Sequence, residues 1–402
     1  MNVSFDNTQF AFAYKTDKEL KKAKFLFSSM GVGWLVQLGT RLTPWAIHAG
    51  LPVKRIIRNT IFKQFVGGET LKDTADVVNK LSQYGIQVIL DYGVEAKEGE
   101  KNFDHVSAEF VKVIEYAATQ PSIHFMSIKL TGFARFELLE KLHAASKAGD
   151  AVAGKINAEI LSDDEREEWQ RVVDRLINIC RAADRNNIGV LIDAEETWIQ
   201  EPVDALAMQM MEKYNQERMI VYTTLQMYRQ DRLQFLKDSV EEAKNKNFTW
   251  GAKLVRGAYM EKERKRAAKK GYPSPVQPDK QHTDNDYNAA IEFCIQHLNE
   301  LHFFVASHNE YSNMYAVELL QKNNLPPNHP HIHFSQLYGM SDNISFNLAR
   351  AGCSVGKLLP FGPLKDVIPY LMRRAQENSS VSGQTGRELR LIKKELKRRG
   401  AS

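Results

Sequence analysis

The sequence predicts an α/β protein built on a (β/α)8 barrel, and three observations carry that prediction. After Gly85, short apolar, β-branched runs recur eight times, most of them ending in polar residues: Gln87–Asp91, Phe125–Lys129, Gly189–Asp193, Ile220–Thr224, Gly251–Val255, Phe303–Ser307, His331–Ser335 and Ser354–Leu358. Nearly continuous apolar runs of this length suit strands covered on both faces, as in a parallel sheet. Between them lie segments with helical spacing, among them Glu165–Ala183, Asp231–Asn245, Tyr287–Glu300 and Tyr311–Lys322. Strand and helix therefore alternate over the count and length of one barrel. An open doubly wound sheet is the competing architecture, but it usually carries a Gly-rich phosphate turn after its first strand, and none follows Asp91.

Residues 1–85 read as an N-terminal helical segment, with Lys18–Lys24 a charged helix face and Gly31, Gly33 and Pro44 as breaks. The most apolar stretch, Phe25–Leu51, is interrupted by Gln37, Arg41, Thr43, Pro44 and His48. A spanning helix of ~20 apolar residues does not accept that pattern, so soluble helical packing is expected. Gly67-Gly68 reads as a turn. The barrel is placed at residues 86–382. Its interval from the second strand to the third holds more helix than one crossover needs, and residues 138–187 are read as a helical insertion. Residues 383–402 form a basic C-terminal helix.

The chain has 402 residues, 43 % apolar and 26 % charged, which excludes disordered and collagenous chains and disulfide scaffolds. The net charge is +5, and the tail from Arg387 to Ser402, with seven basic and two acidic residues, accounts for all of it. Beneath those charges Leu389, Ile392 and Leu396 have helical spacing, which suits either a helix packed on the barrel or an amphipathic helix on anionic lipid. Three scattered cysteines, Cys180, Cys294 and Cys353, point to a reducing compartment. The N-terminal run MNVSFDNTQFAFAYKTDKEL shows neither a secretory nor a transit pattern, so a cytoplasmic location is expected, with peripheral contact at the inner face of the membrane if the tail lies on lipid. The stretch Glu261–Lys270 has six basic and two acidic residues without interleaved aromatics, and no nucleic-acid partner is expected.

In a barrel, reactive residues belong at the carboxyl ends of the strands. Those ends are polar here: Asp91, Lys129, Asp193 with Glu195 and Glu196, Gln226, Arg256 with Tyr259, His308 with Asn309, and Gln336. No pair of histidines has metal-ligand spacing with a carboxylate, and His331-x-His333 sits at a strand start, so no metal is expected. Lys129 suits three roles: Schiff-base nucleophile, carboxylate anchor, or half of an ion pair with Asp193 or Glu195. After the eighth strand Tyr370, Arg373, Arg374 and Glu377 fall on one helix face. The choice there is between a solvated i,i+4 pair of ~0.3 to 0.5 kcal/mol and a two-arginine clamp for a substrate carboxylate.

The runs Lys253–Tyr259 (KLVRGAY), Ile192–Glu196 (IDAEE) and Tyr370–Asn378 (YLMRRAQEN) together resemble the proline dehydrogenase family. FKQFVGGE at Phe62–Glu69, Ser127–Leu130, Ala306–Glu310, Gln336–Met340 and Pro360–Pro363 extend the agreement in order along the chain. The continuation through the basic tail is similar to the monofunctional, mitochondrial-type branch. What the resemblance implies is a distorted (β/α)8 TIM-type barrel holding FAD without a Rossmann fingerprint. It implies oxidation of L-proline to Δ1-pyrroline-5-carboxylate by hydride transfer to flavin N5, with a membrane quinone as electron acceptor. A separate pyrroline-5-carboxylate dehydrogenase is expected to consume the product.

Carried over residue by residue, Lys129, Arg373 and Arg374 bind the substrate carboxylate and Asp193 is their electrostatic partner. Leu254, Tyr259, Leu337, Leu358 and Tyr370 line the ring pocket. Gln226, Lys253, Val255, Gly257, Ala258, His308, Asn309, Glu377 and Ser379 match flavin-holding positions, Gly257 and Ala258 by letting the cofactor approach the backbone. Two positions depart from the family pattern: Lys253, where many members have Arg, and Leu358, where most have Tyr. Leucine offers no partner to a hydroxyl, which disfavours hydroxyproline, the alternative substrate. A Schiff-base lyase using Lys129 is the alternative chemistry.

Overall fold

A computed structural model of the chain describes residues 3–31, 53–93, 98–380 and 384–401, the side chains at 53, 377–380, 384 and 385 lying outside the description. Eight strands close into one barrel in chain order. They are β1 (Ile86–Tyr92), β2 (Ile123–Ile128), β3 (Gly189–Ile192), β4 (Val221–Gln226), β5 (Trp250–Val255), β6 (Leu301–Ala306), β7 (Ile332–Leu337) and β8 (Val355–Phe361). All eight expected strands are present because each is apolar enough to be covered on both sides; every residue of β3 and β4 is buried. Helices Phe136–Ala145 and Asp163–Asn186 fill the long interval between β2 and β3. The second begins at a capping box, Ser162 with Glu165, and ends on Asn187 in the left-handed region at φ 54°. The helix expected at Tyr287–Glu300 instead runs Lys280–Gln296, because the Asp279 carboxylate caps it, accepting from His282 N at 3.0 Å.

Two compact units make up the chain, residues 1–95 with 335–402, and residues 96–334. In the first, β1 and β8 pair in parallel from Ile86 opposite Val355 to Tyr92 opposite Phe361. Gly67-Gly68 is not the expected turn. Gly67 N donates to Pro360 O (2.8 Å) and Gly362 N to Gly68 O (3.0 Å), so the pair runs along the end of β8. A Cβ on Gly67 would stand 2.8 Å from Leu359 Cγ, and one on Gly68 2.4 Å from Asp73 Cβ, which is why both are glycine.

The tail forms helix Gln384–Arg398. Its Leu391, Ile392 and Leu396 are buried in one apolar cluster with Leu20, Ala23 and Phe27 of helix Asp17–Met30, and Leu389 packs against that cluster. Arg399 donates to the carbonyls of Phe12 (2.8 Å) and Lys15 (2.7 Å), and Arg387 pairs with Asp6 (2.8 Å). Of the two expectations for this segment, the apolar stripe is thus covered by the chain itself. Beneath it Asp342 is fully buried between Lys15 (3.1 Å) and Lys357 (3.0 Å) and accepts from Tyr14 Oη (2.6 Å). Burial and the charge of Asp342 push the nearby buried Glu388 carboxyl up to about 7, against the opposing pull of Lys15 and Lys357. Of the apolar stretch Phe25–Leu51, residues 32–51 lie outside the described residues. Among the described residues no helix is long and apolar enough to cross a membrane.

Candidate active site

In the unit of residues 96–334 the register puts Thr224 beside Lys253 and Lys253 beside Phe304, so these side chains share one face of the wall. The lower layer of that face is aromatic. The rings of Phe125, Tyr222, Phe304 and His333 lie 4.7 to 5.9 Å apart in mostly edge-on contacts. Gly189 makes room for it, since a Cβ there would be 2.4 Å from Phe125 Cδ1. His331 stacks on His302 at 3.6 Å, and burial holds His333 down at about 4. Burial also lowers His302, so His302 and His333 are packed as neutral rings.

Above the aromatic layer lies an ionic one. Asp193, just past β3, pairs with Lys129 at 2.9 Å and with Lys253 of β5, and accepts from Ser127 Oγ at 2.6 Å. The pairing expected for Lys129 is therefore with Asp193. Burial alone would raise the Asp193 carboxyl, but the Lys129 and Lys253 ammonium groups override it and hold the group well below the usual carboxylate range. Two cations share this one carboxylate. Lys129 retains 34 % side-chain exposure and Lys253 only 6 %, so Lys129 is the one open to a solute.

A ring of hydrogen bonds surrounds this cluster. Gln226 Nε2 donates to Glu195 O (2.7 Å) and its Oε1 accepts from Ala258 N (3.2 Å). Glu195 accepts from both the backbone N (3.2 Å) and the hydroxyl (2.6 Å) of Thr131. Arg256 is a brace: it pairs with Asp284 (2.7 Å), donates to Ser307 Oγ (2.6 Å) and Ser312 Oγ (2.9 Å), and stacks on Tyr287 at 4.4 Å. It thereby sets the strand-to-helix loop that carries His308 and Asn309. The Asn309 carboxamide caps helix Glu310–Lys322 through Ser312 N (3.2 Å).

Two of the expected residues have packing roles of their own. Leu254 alternates with Lys253 and Val255, so it faces away from the ionic cluster; it is fully buried and its carbonyl accepts from Tyr287 Oη (3.1 Å). Gly257, expected to give room to a cofactor, gives room to Tyr228: a Cβ would lie 1.5 Å from Tyr228 Cδ1, and φ of +132° excludes a side chain independently. Ala258 is exposed and Tyr259 half-buried at the start of helix Met260–Lys270. Glu263 escaped the sequence reading; it is fully buried and caps the next layer by accepting from Thr197 N (2.7 Å) and Oγ1 (2.6 Å). Its only sequence signal is that it is one of two acids on a basic helix.

The remaining expected residues belong to the other unit. Tyr370, Arg373 and Arg374 lie on helix Leu364–Ser380, Arg374 buried with its guanidinium 5.1 Å from the Tyr370 ring and Arg373 half-buried. Leu337 and Tyr370 pack against the apolar cluster under that helix. Leu358 alternates with Lys357, whose ammonium reaches Asp342, so Leu358 has the opposite face of β8. The side chains of Glu377 and Ser379 lie outside the described residues.

A family model described as proline dehydrogenase matches residues 74–387. The chain belongs to the proline dehydrogenase family. Among its relatives, "Proline dehydrogenase 1, mitochondrial" of Dictyostelium discoideum is 33 % identical over 379 residues, 87 % of this chain and 66 % of that one. "Hydroxyproline dehydrogenase" of Xenopus laevis is also 33 % identical, over 90 % of this chain and 80 % of that protein. The fold is similar to that of proline utilization A from Bdellovibrio bacteriovorus, with a TM-score of 0.74 at 19 % identity, covering 96 % of this chain and 43 % of that one. The chain thus spans just under two thirds of the Dictyostelium relative and under half of the solved structure.

The cofactor that the family resemblance implies, FAD, can be tested against the residues present. Thr224 Oγ1 is buried without a hydrogen-bond partner among the described residues, on the same face as Lys253. A buried hydroxyl in that position costs free energy unless something polar meets it. Gln226 keeps one N–H and one lone pair beyond its two bonds to the protein. Donors of this kind, above an aromatic layer and beside a buried ammonium, fit the polar edge of a flavin.

Proposed function

We propose that this chain oxidises L-proline to Δ1-pyrroline-5-carboxylate. When bound, FAD supplies the hydride acceptor, N5, for the ring carbon next to nitrogen, and its electrons pass on to a membrane quinone. Gln226, Lys253, Val255, Ala258, His308 and Asn309 are the residues assigned to hold it, together with Gly257, Glu377 and Ser379 on the resemblance alone. Lys129, Arg373 and Arg374 bind the substrate carboxylate by charge-assisted hydrogen bonds, which fixes the ring in one orientation. Leu337, Leu358, Tyr259 and Tyr370 exclude water around it. Asp193 holds Lys129 in an ion pair, which favours a charged anchor over a reactive free amine.

The observation that carries this reading is the shared carboxylate: Lys129 Nζ lies 2.9 Å from Asp193 and remains one-third exposed, a cation preorganised for an anionic ligand. It also weighs against a Schiff-base lyase, which needs a neutral lysine. Leu358 favours proline over hydroxyproline, since an apolar wall leaves the added hydroxyl without a partner. The test is the spectrum of the purified protein. Oxidised flavin absorbance that bleaches on anaerobic addition of L-proline supports the proposal, with the smaller rate expected for hydroxyproline. A colourless protein that borohydride traps with a carbonyl substrate refutes it.

A further inference from the structure

Lys129 stands on a bend whose direction is set elsewhere. It caps the single 3-10 turn Leu130–Gly132 that follows β2, and nothing in that turn supplies a side-chain cap of its own. What grips the turn is Glu195, beyond β3. Its Oε1 accepts from the backbone N of Thr131 at 3.2 Å and its Oε2 from the Thr131 hydroxyl at 2.6 Å. The grip is two-pronged and buried, Glu195 being 5 % exposed. Glu195 is itself held at both ends of its backbone: its N donates to Gln200 Oε1 (2.9 Å) and its O accepts from Gln226 Nε2 (2.7 Å). Gln200 Nε2 in turn donates to Asp204 (2.8 Å), which pairs with Arg232 (2.6 Å). This carboxylate therefore has a fixed position while the lysine beside it has a long, rotatable stem.

We propose that Glu195 is a positioning residue for the reaction: by clamping the backbone and hydroxyl of Thr131 it aims Lys129 at the substrate carboxylate. The inference rests on the role given to Lys129 above. A carboxylate accepts both Thr131 donors at once; a protonated acid keeps one acceptor oxygen and must turn its own O–H toward the threonine hydroxyl, so the clamp loses its charge assistance. Burial raises the Glu195 carboxyl to about 7, with the Thr131 bonds and the charge of Lys129 pulling it down and Glu196 adding to the rise. Glu196 is neutralised in part by Lys262. Gln200 and Gln226, on the other two sides, carry no charge. The clamp is thus tight above neutral pH and loosens as pH falls through about 7.

The test uses Thr131→Val, Thr131→Ser and Glu195→Gln in the flavin-loaded protein. Thr131→Val removes the shorter bond without a change of volume, and KM for L-proline is expected to rise about five- to tenfold with a much smaller change in kcat. Thr131→Ser, which keeps the hydroxyl, is expected to restore KM. Glu195→Gln is expected to have a raised KM at every pH and to lack the break near pH 7 that is expected in kcat/KM of the unsubstituted protein. A readout independent of turnover is the carbon NMR titration of glutamate carboxyls. Two resonances should titrate near 7, those of Glu195 and Glu388; only the first should vanish in Glu195→Gln and move to higher pH in Thr131→Val, where the ionised form has lost a donor. If proline is oxidised but KM is unmoved in Thr131→Val and Glu195→Gln, the positioning role is refuted and the proposed function stands. If the unsubstituted protein does not oxidise proline, the function fails whatever the NMR shows, and the role for Lys129 fails with it.

Discussion

Replacing Asp193 by Asn tests the ionic cluster most directly. The side chain keeps its shape and its bond to Ser127, but the charge shared by Lys129 and Lys253 disappears. At 2.9 Å and an effective dielectric of ~20, the Lys129 pair is worth about 6 kcal/mol of gross attraction. That gross figure must be discounted, because Lys129 is one-third exposed and water screens it. Lys253, at 6 % exposure, has no such relief, and stranding a buried ammonium costs about 3–5 kcal/mol. The sign follows from linkage. Asp193 has a folded-state value held far below that of the unfolded chain, so its contribution is present above pH ~4 and lost as pH falls towards the folded value. Urea unfolding should show Asp193→Asn less stable by about 3 kcal/mol at pH 7. The difference should narrow as pH falls below ~4, where the contribution of the native carboxylate is progressively lost towards its far lower folded-state value. A difference under about 1 kcal/mol at pH 7, or one that ignores pH, refutes the shared-carboxylate account.

Arg373→Met should raise the half-saturating proline concentration by about a hundredfold while flavin absorbance is retained, since it removes a charge-assisted bond to the substrate alone; equal half-saturation counts against the clamp. Gly257→Ala should lower stability by about 2 kcal/mol or more in thermal unfolding, because the new methyl meets Tyr228 in a backbone region closed to side chains. Glu388→Gln should be neutral at pH 4 and stabilising by on the order of 2 kcal/mol at pH 8. The native carboxyl holds its proton up to about 7, so stability falls as pH rises from about 4.5 to about 7, and a glutamine removes that slope.

The barrel was legible because its signal is local. A strand buried on both faces shows an apolar run and often a polar end; all eight runs carry the first and six the second. Helix Lys280–Gln296 was mis-started for a local reason too, the Asp279 cap that went unnoticed. The chemistry-bearing types were legible as well: lysine, aspartate and arginine at strand ends, and motifs in family order. Facing was harder. Leu254 sits inside the most distinctive motif, KLVRGAY, yet a strand reverses side at every residue, so Leu254 and its neighbour Lys253 take opposite faces of β5. Gly257 is explained by Tyr228, 29 positions earlier, which no spacing rule connects to it.

By itself, then, the sequence determined which segments become strands, which residues end them, and that the tail is basic with an apolar stripe, all properties of neighbouring residues. Only the tertiary structure decided partnership. It put one carboxylate between two lysines 64 and 60 residues away, and set Glu195 against a turn 64 residues before it. It laid the tail's stripe on helix Asp17–Met30, at the far end of the chain. The physical reason is that charge and hydrogen bonding act over a few ångströms of space, and chain closure into a barrel brings into that range groups that no local pattern relates.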